Sequence, residues 1–395
     1  MNYILIDDHT WRNPLPLTYT RPVSEIRTGI LTIKEKWDRY LDTDCSYITE
    51  AYLAEKYTIR KDQTNILINS SILPNKELAE EISKLELGKA LIRSNIFIAV
   101  HLRENQITDN SIFNLTEFQV KSTDIDFRKI EYSWDIFKLN GEEITSDFAL
   151  LTNGRKSAPL PKSIQTISPE NIFFEEGAKA AFASINASAG PVYIGKEAEI
   201  MEGSLIRGPF ALCEHSATKL GAKIYGPTTI GPHSKVGGEL NNCVIFGYSN
   251  KAHDGFLGNS VLGEWCNIGA DTNNSNLKNN YAEVRLWNYN KEGFIKTGLQ
   301  FCGLIMGDHS KCGINTMFNT GTVIGVNSNI FGSGFPRNFI PSFSWGGAHG
   351  FSTYGIQKAF EVAALVMSRR NKVLDEKEKA ILNTIFELSA KYRKF

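Results

Sequence analysis

The sequence predicts a chain in three parts: an α/β layer over residues 1–185, a three-sided parallel coil over 186–350, and closing helices over 351–395. Three observations carry this expectation. Branched aliphatics recur at every sixth position from Ile194; the residues before them alternate between short strand and helix patterns; and the residues after them return to a helical period. At 395 residues the chain also exceeds the usual size of a single core.

In the first part, Tyr3 to Ile6, Asn65 to Ile68 and Ile96 to Val100 are short apolar runs that suit buried strands. Leu78 to Leu87 has the spacing of an amphipathic helix. Strands alternating with helices predict an α/β sheet layer. Ser157 to Ser168, with Pro159 and Pro161 among polar residues, marks the expected linker.

In the second part, the sixfold series runs Ile194, Ile200, Ile206, Leu212, Thr218, Ile224, Ile230 and Val236, and seven of these eight are Ile, Leu or Val. The phase is lost over Gly237 to Asn242, recovers through Phe256, Leu262 and Ile268, and returns after a longer interruption as Met306, Cys312, Phe318, Ile324 and Ile330. Neither a 3.6-residue helix nor a plain alternating strand keeps such a period. A triangular coil does, because three short strands per turn each send one side chain inward. Gly follows many of the markers, as at Gly195, Gly231 and Gly325, and is expected to form the tight corners. A β-sandwich with frequent turns is the alternative, but sandwich strands do not hold one phase for so long.

In the third part, Ile356, Phe360, Ala363 and Met367 mark the face of one helix. Ile381, Ile385 and Leu388 mark a second, with Asp375 as its candidate N-cap. Stacked repeats need their ends covered, so these helices are expected to cap the coil or meet another subunit.

Composition narrows the function. Lys plus Arg and Asp plus Glu each number 43, so no net field draws the chain to nucleic acid or to an anionic membrane. An anionic ligand must meet a local basic cluster. Met1 to Asp8 has no basic leader and places Asp7 and Asp8 directly after its apolar run, unlike a signal peptide. The run Ala359 to Met367 contains Glu361 and is too short to span a bilayer, so a cytoplasmic location is expected. The six cysteines, Cys45, Cys213, Cys243, Cys266, Cys302 and Cys312, show neither a CxxC pair nor finger-like histidines. They are expected to be reduced and mostly buried, with no metal site.

The segment NKAHDGFLGNSVLGEWCNIGADT, from Asn250 to Thr272, continues as NNSNLKNN. It resembles the acetyltransferase half of the bifunctional N-acetylglucosamine-1-phosphate uridyltransferase/glucosamine-1-phosphate acetyltransferase family, in which a His precedes a Leu-Gly corner and an Asn-Ile-Gly-Ala stretch follows. Here His253 precedes Leu257-Gly258, Asn267 opens Asn267-Ile268-Gly269-Ala270, and Asn276 stands where a further Asn is found. The resemblance implies a left-handed parallel β-helix, a homotrimer, and acetyl-CoA lying along the groove between adjacent prisms.

Acetylation of a sugar amine needs the proton removed before the nitrogen attacks a thioester, and an imidazole suits that step. His253 is the candidate base; a hydrogen-bonded corner residue is the alternative. Asn267 and Asn276 can hold the amine and polarise the acetyl carbonyl. The sequence departs from the family at Asn241, Phe256 and Asp271, where the family has Lys, Tyr and Gly. Lys251, Lys278 and Arg285 are then the candidates for the substrate anion. In GDHSKCGINT, from Gly307 to Thr316, Lys311 is a candidate partner for a CoA phosphate, with a solvated surface charge as the alternative. The polar interruption before Met306 is expected to be an ordered loop over the donor cleft.

The first part carries a second resemblance. PLTYTRP, from Pro16 to Pro22, and NILINSSIL, from Asn65 to Leu73, look like the first-strand and metal-strand segments of sugar-nucleotide pyrophosphorylases. Those enzymes need a Gly-rich phosphate loop and an Asp for Mg²⁺. Here the first glycine is Gly29, and Asn69-Ser70-Ser71 replaces the Asp. With TRPVSEIRTGILTIKEKW from Thr20 to Trp37, the chain as a whole looks like an atypical branch of the bifunctional family, with a nucleotidyltransferase-like first domain of doubtful activity.

The resemblance implies acetyl-CoA-dependent N-acetylation of an amino-sugar 1-phosphate in nucleotide-sugar synthesis, with Mg²⁺ needed only if the first domain is active. Arg12, Arg21 and Arg27 would then grip phosphate, with structural ion pairs as the alternative. A different class of function stays open: a non-catalytic regulator that binds nucleotide sugar and assembles with an active enzyme.

Overall fold

The computed structural model describes residues 1–107 and 118–395. It divides into two compact units, the first made of Met1–Pro14, Thr20–Ile26 and Leu31–Tyr132, the second of Leu15–Tyr19, Arg27–Ile30 and Ser133–Phe395. The expected boundary at residue 185 therefore moves to Tyr132. Helix α3, Asp135–Thr152, and two short stretches of the N-terminal part belong to the second unit.

The first unit is built on a six-stranded sheet in the order 46–48, 2–6, 64–69, 96–103, 89–93, 119–122. Strand 2–6 runs parallel to both of its neighbours, whereas strand 96–103 is antiparallel to 64–69. Ile4, Ile6, Leu67, Ala90, Val100 and Leu102 form its core. Helix α1, Ile33–Leu41, starts at a capping box in which Thr32 and Glu35 satisfy each other's backbone N–H groups. Its Trp37 is fully buried and donates from Nε1 to the Ile72 carbonyl at 3.0 Å. Helix α2, Lys76–Ser83, starts earlier and ends earlier than the sequence suggests. The Asn75 side chain caps it, and beyond Ser83 the chain turns to bury Leu85.

The second unit is the left-handed parallel β-helix. Its inward columns follow the sixfold series. Ile194, Leu212 and Ile230 stack in register on the first face, continued by Ile245, Leu262, Met306, Ile324 and Ile340. Ala180, Ile200, Thr218 and Val236 stack on the second face, and Ile185, Ile206, Ile224, Leu240 and Leu257 on the third. These side chains form one continuous apolar core. Full burial of each Ile or Leu is worth about 1.5–3 kcal/mol, which is why the inward position tolerates little else.

Two details of the coil differ from expectation. Phe256 does not point inward; Leu257 pairs with Leu240, and the step from it to Leu262 is only five residues. The glycines after the markers are not the corner formers either. Gly195 is needed because a Cβ there would lie 2.7 Å from the Cys213 backbone, and at Gly325 it would lie 2.2 Å from Ser342 N. Along the edge between the first and second faces the left-handed corners fall to Glu197, His215, His233, Tyr248, Trp265, His309, Asn327 and Phe343, while Gly203, Gly221 and Gly238 take positive φ between the second and third faces. A non-glycine residue in that region costs on the order of 1–2 kcal/mol. Stacking offsets part of the cost, since His215, His233, Tyr248 and Trp265 pile nearly parallel with centroids 4.8, 4.8 and 4.2 Å apart.

Helix α3, Asp135–Thr152, is tied to the coil through Asn140, which donates to the Pro227 carbonyl at 3.1 Å and accepts from Thr229 Oγ1 at 3.0 Å. The expected linker is an end cap. Ala158 N donates to the Phe174 carbonyl at 2.9 Å, and Ala158, Leu160 and Ile164 pack on the apolar core.

The interruption before Met306 forms a hairpin, Arg285–Asn288 with Gly293–Lys296. Trp287 stacks on Phe339 at 4.1 Å, and Tyr289 meets Tyr19 and Tyr392 edge-on. Helix α4, Ile356–Ser368, buries Ala359, Phe360, Ala363 and Met367. Helix α5, Glu376–Leu388, is capped by Asp375 as expected and buries Ile381 and Ile385, but Leu388 stays exposed. All six cysteines are free and buried.

Candidate functional site

The outward side chains of the second face alternate with its core column, so strand starts at Lys235, Asn250, Asn267 and Lys311 are brought level on successive coils. With Tyr248, Trp265, Cys266, and Val366, Arg369 and Arg370 at the end of α4, they line a cleft of about 320 Å³. Asn267 is exposed within it. Lys311 is partly buried and donates to the His309 carbonyl at 2.7 Å. Burial pulls its ammonium down to about 8. Lys235 is also held below the usual lysine range, by burial first and then by Arg370, Lys219 and Arg369.

No residue of the hairpin or its flanks lines this cleft. The loop over the cleft is corrected to helix α4, because the Trp287 and Tyr289 contacts tie the hairpin to Phe339 and the chain end.

The chain leaves the second face at Lys251, passes His253, and reaches the third face at Phe256. The His253 imidazole is exposed and has no partner among the described residues. Its backbone is held: Asp271 N donates to the Asp254 carbonyl at 3.0 Å. On the third face, Asn276 donates to Asn259 Oδ1 at 2.7 Å, and Asn273 Oδ1 accepts from Phe256 N at 2.8 Å. Asn267 and Lys311 thus share the cleft, His253 stands at the corner after it, and Asn276 lies on the next face.

Three expected anion ligands sit elsewhere. Lys251 is only 1% exposed, taking the inward position after Val236, and its Nζ donates to the His253 and Asp254 carbonyls. A side chain inside the prism cannot meet a ligand outside it, so its substrate role is corrected. The long methylene stem explains the placement, since it crosses the apolar interior and delivers the ammonium to corner carbonyls. Lys278 Nζ donates to the Glu283 carbonyl at 3.0 Å, within the interruption, and Arg285 is exposed on the hairpin.

Burial lowers the Lys251 ammonium to about 8 against its ordinary 10.5. Between those values the unfolded chain binds the proton and the folded chain does not, so stability from this group rises with pH across that window. The wild type should gain on the order of 3 kcal/mol relative to Lys251→Met between pH 8 and 10.5 in urea unfolding. A stability difference that stays flat across this window would contradict the buried charge.

In the first unit, the carboxyl ends of strands 2–6 and 64–69 meet where the strand order reverses, the place where open α/β sheets bind ligands. Asp7 accepts from Thr49 Oγ1 at 2.6 Å and from Val23 N at 3.0 Å; burial drives its carboxyl up to about 6. Burial also raises Asp8, but Lys129, Thr10 and Asn69 outweigh it and hold that carboxyl below the usual range.

Asn69 donates to Asp8 Oδ2 at 3.0 Å and to the Phe97 carbonyl at 3.2 Å, and accepts from Ser71 N and Oγ at 3.1 and 2.6 Å. Its amide is fully engaged where a metal-binding carboxylate would stand. Among the described residues no group of three His, Cys, Asp or Glu could hold a metal ion, and no helix is long and apolar enough to cross a membrane.

Arg12 is exposed over the Trp11 ring, Arg21 is 5% exposed, and Arg27, in the second unit, donates to the Ile30 carbonyl.

Sequence reasoning missed Lys235, Tyr248, Trp265, Arg369 and Arg370. The sixfold register could have found Lys235, which directly precedes the marker Val236. Nothing in the spacing could place the α4 arginines beside it.

Residues 3–156 match the family model described as sugar nucleotidyl transferase. The chain is 29% identical over 150 residues to the uncharacterized acetyltransferase YaiX of Escherichia coli O6:K15:H31, a match covering 37% of this chain and 64% of that protein. It is 31% identical over 144 residues to a bifunctional sugar-1-phosphate nucleotidylyltransferase/acetyltransferase of Sulfurisphaera tokodaii, covering 36% and 35%. It is 35% identical over 94 residues to the bifunctional protein GlmU of Methanococcus aeolicus, covering 23% and 22%. The matches thus span less than two thirds of these relatives' lengths. Among solved structures, LpxA of Bacteroides fragilis, a UDP-N-acetylglucosamine acyltransferase, aligns with 57% of this chain and 96% of its own at 12% identity and a TM-score of 0.27.

Proposed function

We propose that the β-helix unit is an acetyl-CoA-dependent N-acetyltransferase acting on an amino-sugar 1-phosphate, with His253 as general base. The observation that carries this is the unpartnered, exposed His253 imidazole at the corner between the cleft holding Asn267 and Lys311 and the face holding Asn276. Support also comes from relatives named as acetyltransferases.

His253 takes a proton from the sugar ammonium, and the freed amine attacks the thioester carbonyl. Charge then develops on the carbonyl oxygen, where the Asn267 amide can donate. The C–S bond breaks, the thiolate leaves with the proton returned by the imidazolium, and the nitrogen sheds its second proton to water as the amide forms. Lys311 contributes to holding the donor's phosphate end, and Asn276 to holding the acceptor. A homotrimer assembled through the β-helix belongs to the same reading. So does a cytoplasmic setting, supported by six free, buried cysteines.

Thiol release from acetyl-CoA with glucosamine 1-phosphate tests the proposal: turnover that requires the acceptor is expected, and no release with this or other amino-sugar phosphates would reject it.

A second reading, a unit that binds nucleotide sugar without turning it over and assembles with an active enzyme, is favoured for the first unit by the engaged Asn69 amide. Incubation with UTP, Mg²⁺ and N-acetylglucosamine 1-phosphate should then release no pyrophosphate. Release at enzymatic rates would show the first unit to be active.

A further inference from the structure

The cleft under α4 carries more positive charge than a transferase reading built on Lys311 alone requires. Lys235 and Lys311 rise from the second face, and Arg369 and Arg370 descend from the end of α4. No acidic residue lines the cleft, and none of the four makes an ion pair among the described residues. Carboxylates act from outside the cleft: Glu214 on His233, the next ring along the corner stack, Glu264 and Glu214 on Tyr248, and Glu199, behind the cations, on Lys235. On Lys235 the neighbouring cations outweigh that carboxylate, Arg370 first, then Lys219 and Arg369. Gathering like charges into one concave space is unfavourable unless an anion sits among them.

A helix C-terminus attracts basic residues by its dipole, which is the plainer explanation for Arg369 and Arg370. It does not account for Lys235 and Lys311 arriving from the prism in the same cleft. Nor does either guanidinium bond a terminal carbonyl of α4.

We infer that this cleft is a binding site for a phosphate-bearing small molecule, with Lys235, Lys311, Arg369 and Arg370 of one chain as the clamp. Arginine forks supply paired donors to phosphate oxygens, the lysines supply point charge, and the half-buried Asn250 and exposed Asn267 amides can orient the rest of the ligand. The site is then complete without a second prism. The phosphate can belong to the acetyl donor or to the sugar acceptor. Assigning it to either rests on the transferase reading above; the anion site itself does not.

Titration calorimetry on the full chain tests the inference with adenosine 3′,5′-bisphosphate, glucosamine 1-phosphate and adenosine as probes. At least one phosphate should bind ten-fold or more tighter than adenosine, and more weakly as salt rises. Arg369→Ala with Arg370→Ala should weaken it at least ten-fold, and Lys235→Met, which leaves the helix untouched, several-fold. Lys162→Ala, an exposed cation outside the cleft, should bind as the wild type does. Preference for the bisphosphate assigns the cleft to the donor, and preference for the sugar phosphate to the acceptor. No phosphate binding, or equal binding by the arginine variants and the wild type, overturns the site. Calorimetric binding is read without turnover, so failure of the catalytic proposal and failure of the clamp give different results.

Discussion

His253→Ala should lower kcat for acetyl transfer to glucosamine 1-phosphate by about 10²–10⁴-fold, the usual contribution of a positioned general base. The KM for acetyl-CoA should change little if Lys311 holds the donor's phosphate end, because His253 does not line the cleft that contains Lys311. The imidazole is exposed and makes no hydrogen bond among the described residues, so its removal strands no buried partner and should leave the unfolding midpoint unchanged. A structural corner residue would behave in the opposite way, shifting the midpoint and sparing kcat. Steady-state kinetics with a parallel urea titration separate the two.

Ile245→Asp should prevent stable folding of the second unit. Ile245 is fully buried, between Ile230 and Leu262 in the first column. The change removes an aliphatic chain from the core and puts a carboxylate where only hydrocarbon surrounds it, a loss of more than about 4 kcal/mol. Lys251 occupies an inward position too, yet folds there because its stem carries the charge to carbonyl oxygens at the corner. Asp is too short for that route. Denaturant unfolding followed by circular dichroism measures the effect, and a midpoint close to that of the wild type would contradict the inward column.

The prism was legible because each inward place demands the same kind of side chain, so Ile194 to Val236 print the period directly on the sequence. Legibility failed where a coil changes length. Between Leu257 and Leu262 the step is five residues, which made Phe256 look like a marker when its neighbour is the inward residue. The glycines were noticed for a real reason but the wrong one: close approach of adjacent coils, with the corners left to residues such as Tyr248 and Trp265.

Lys251 was read as a ligand because a lysine among polar residues looks solvated, and sequence does not show that a long stem can cross a core. At the site, Asn267 and Lys311 were found and do share a cleft. Arg369 and Arg370 were not, since their partners lie far off in sequence and only the packing of α4 on the second face brings them together.

The most direct measurement is a crystal structure of the protein soaked with acetyl-CoA. The account requires the thioester carbonyl to lie beside the His253 corner, within reach of an amine hydrogen-bonded to the imidazole, with its oxygen facing the Asn267 amide. A thioester bound away from that corner would contradict it.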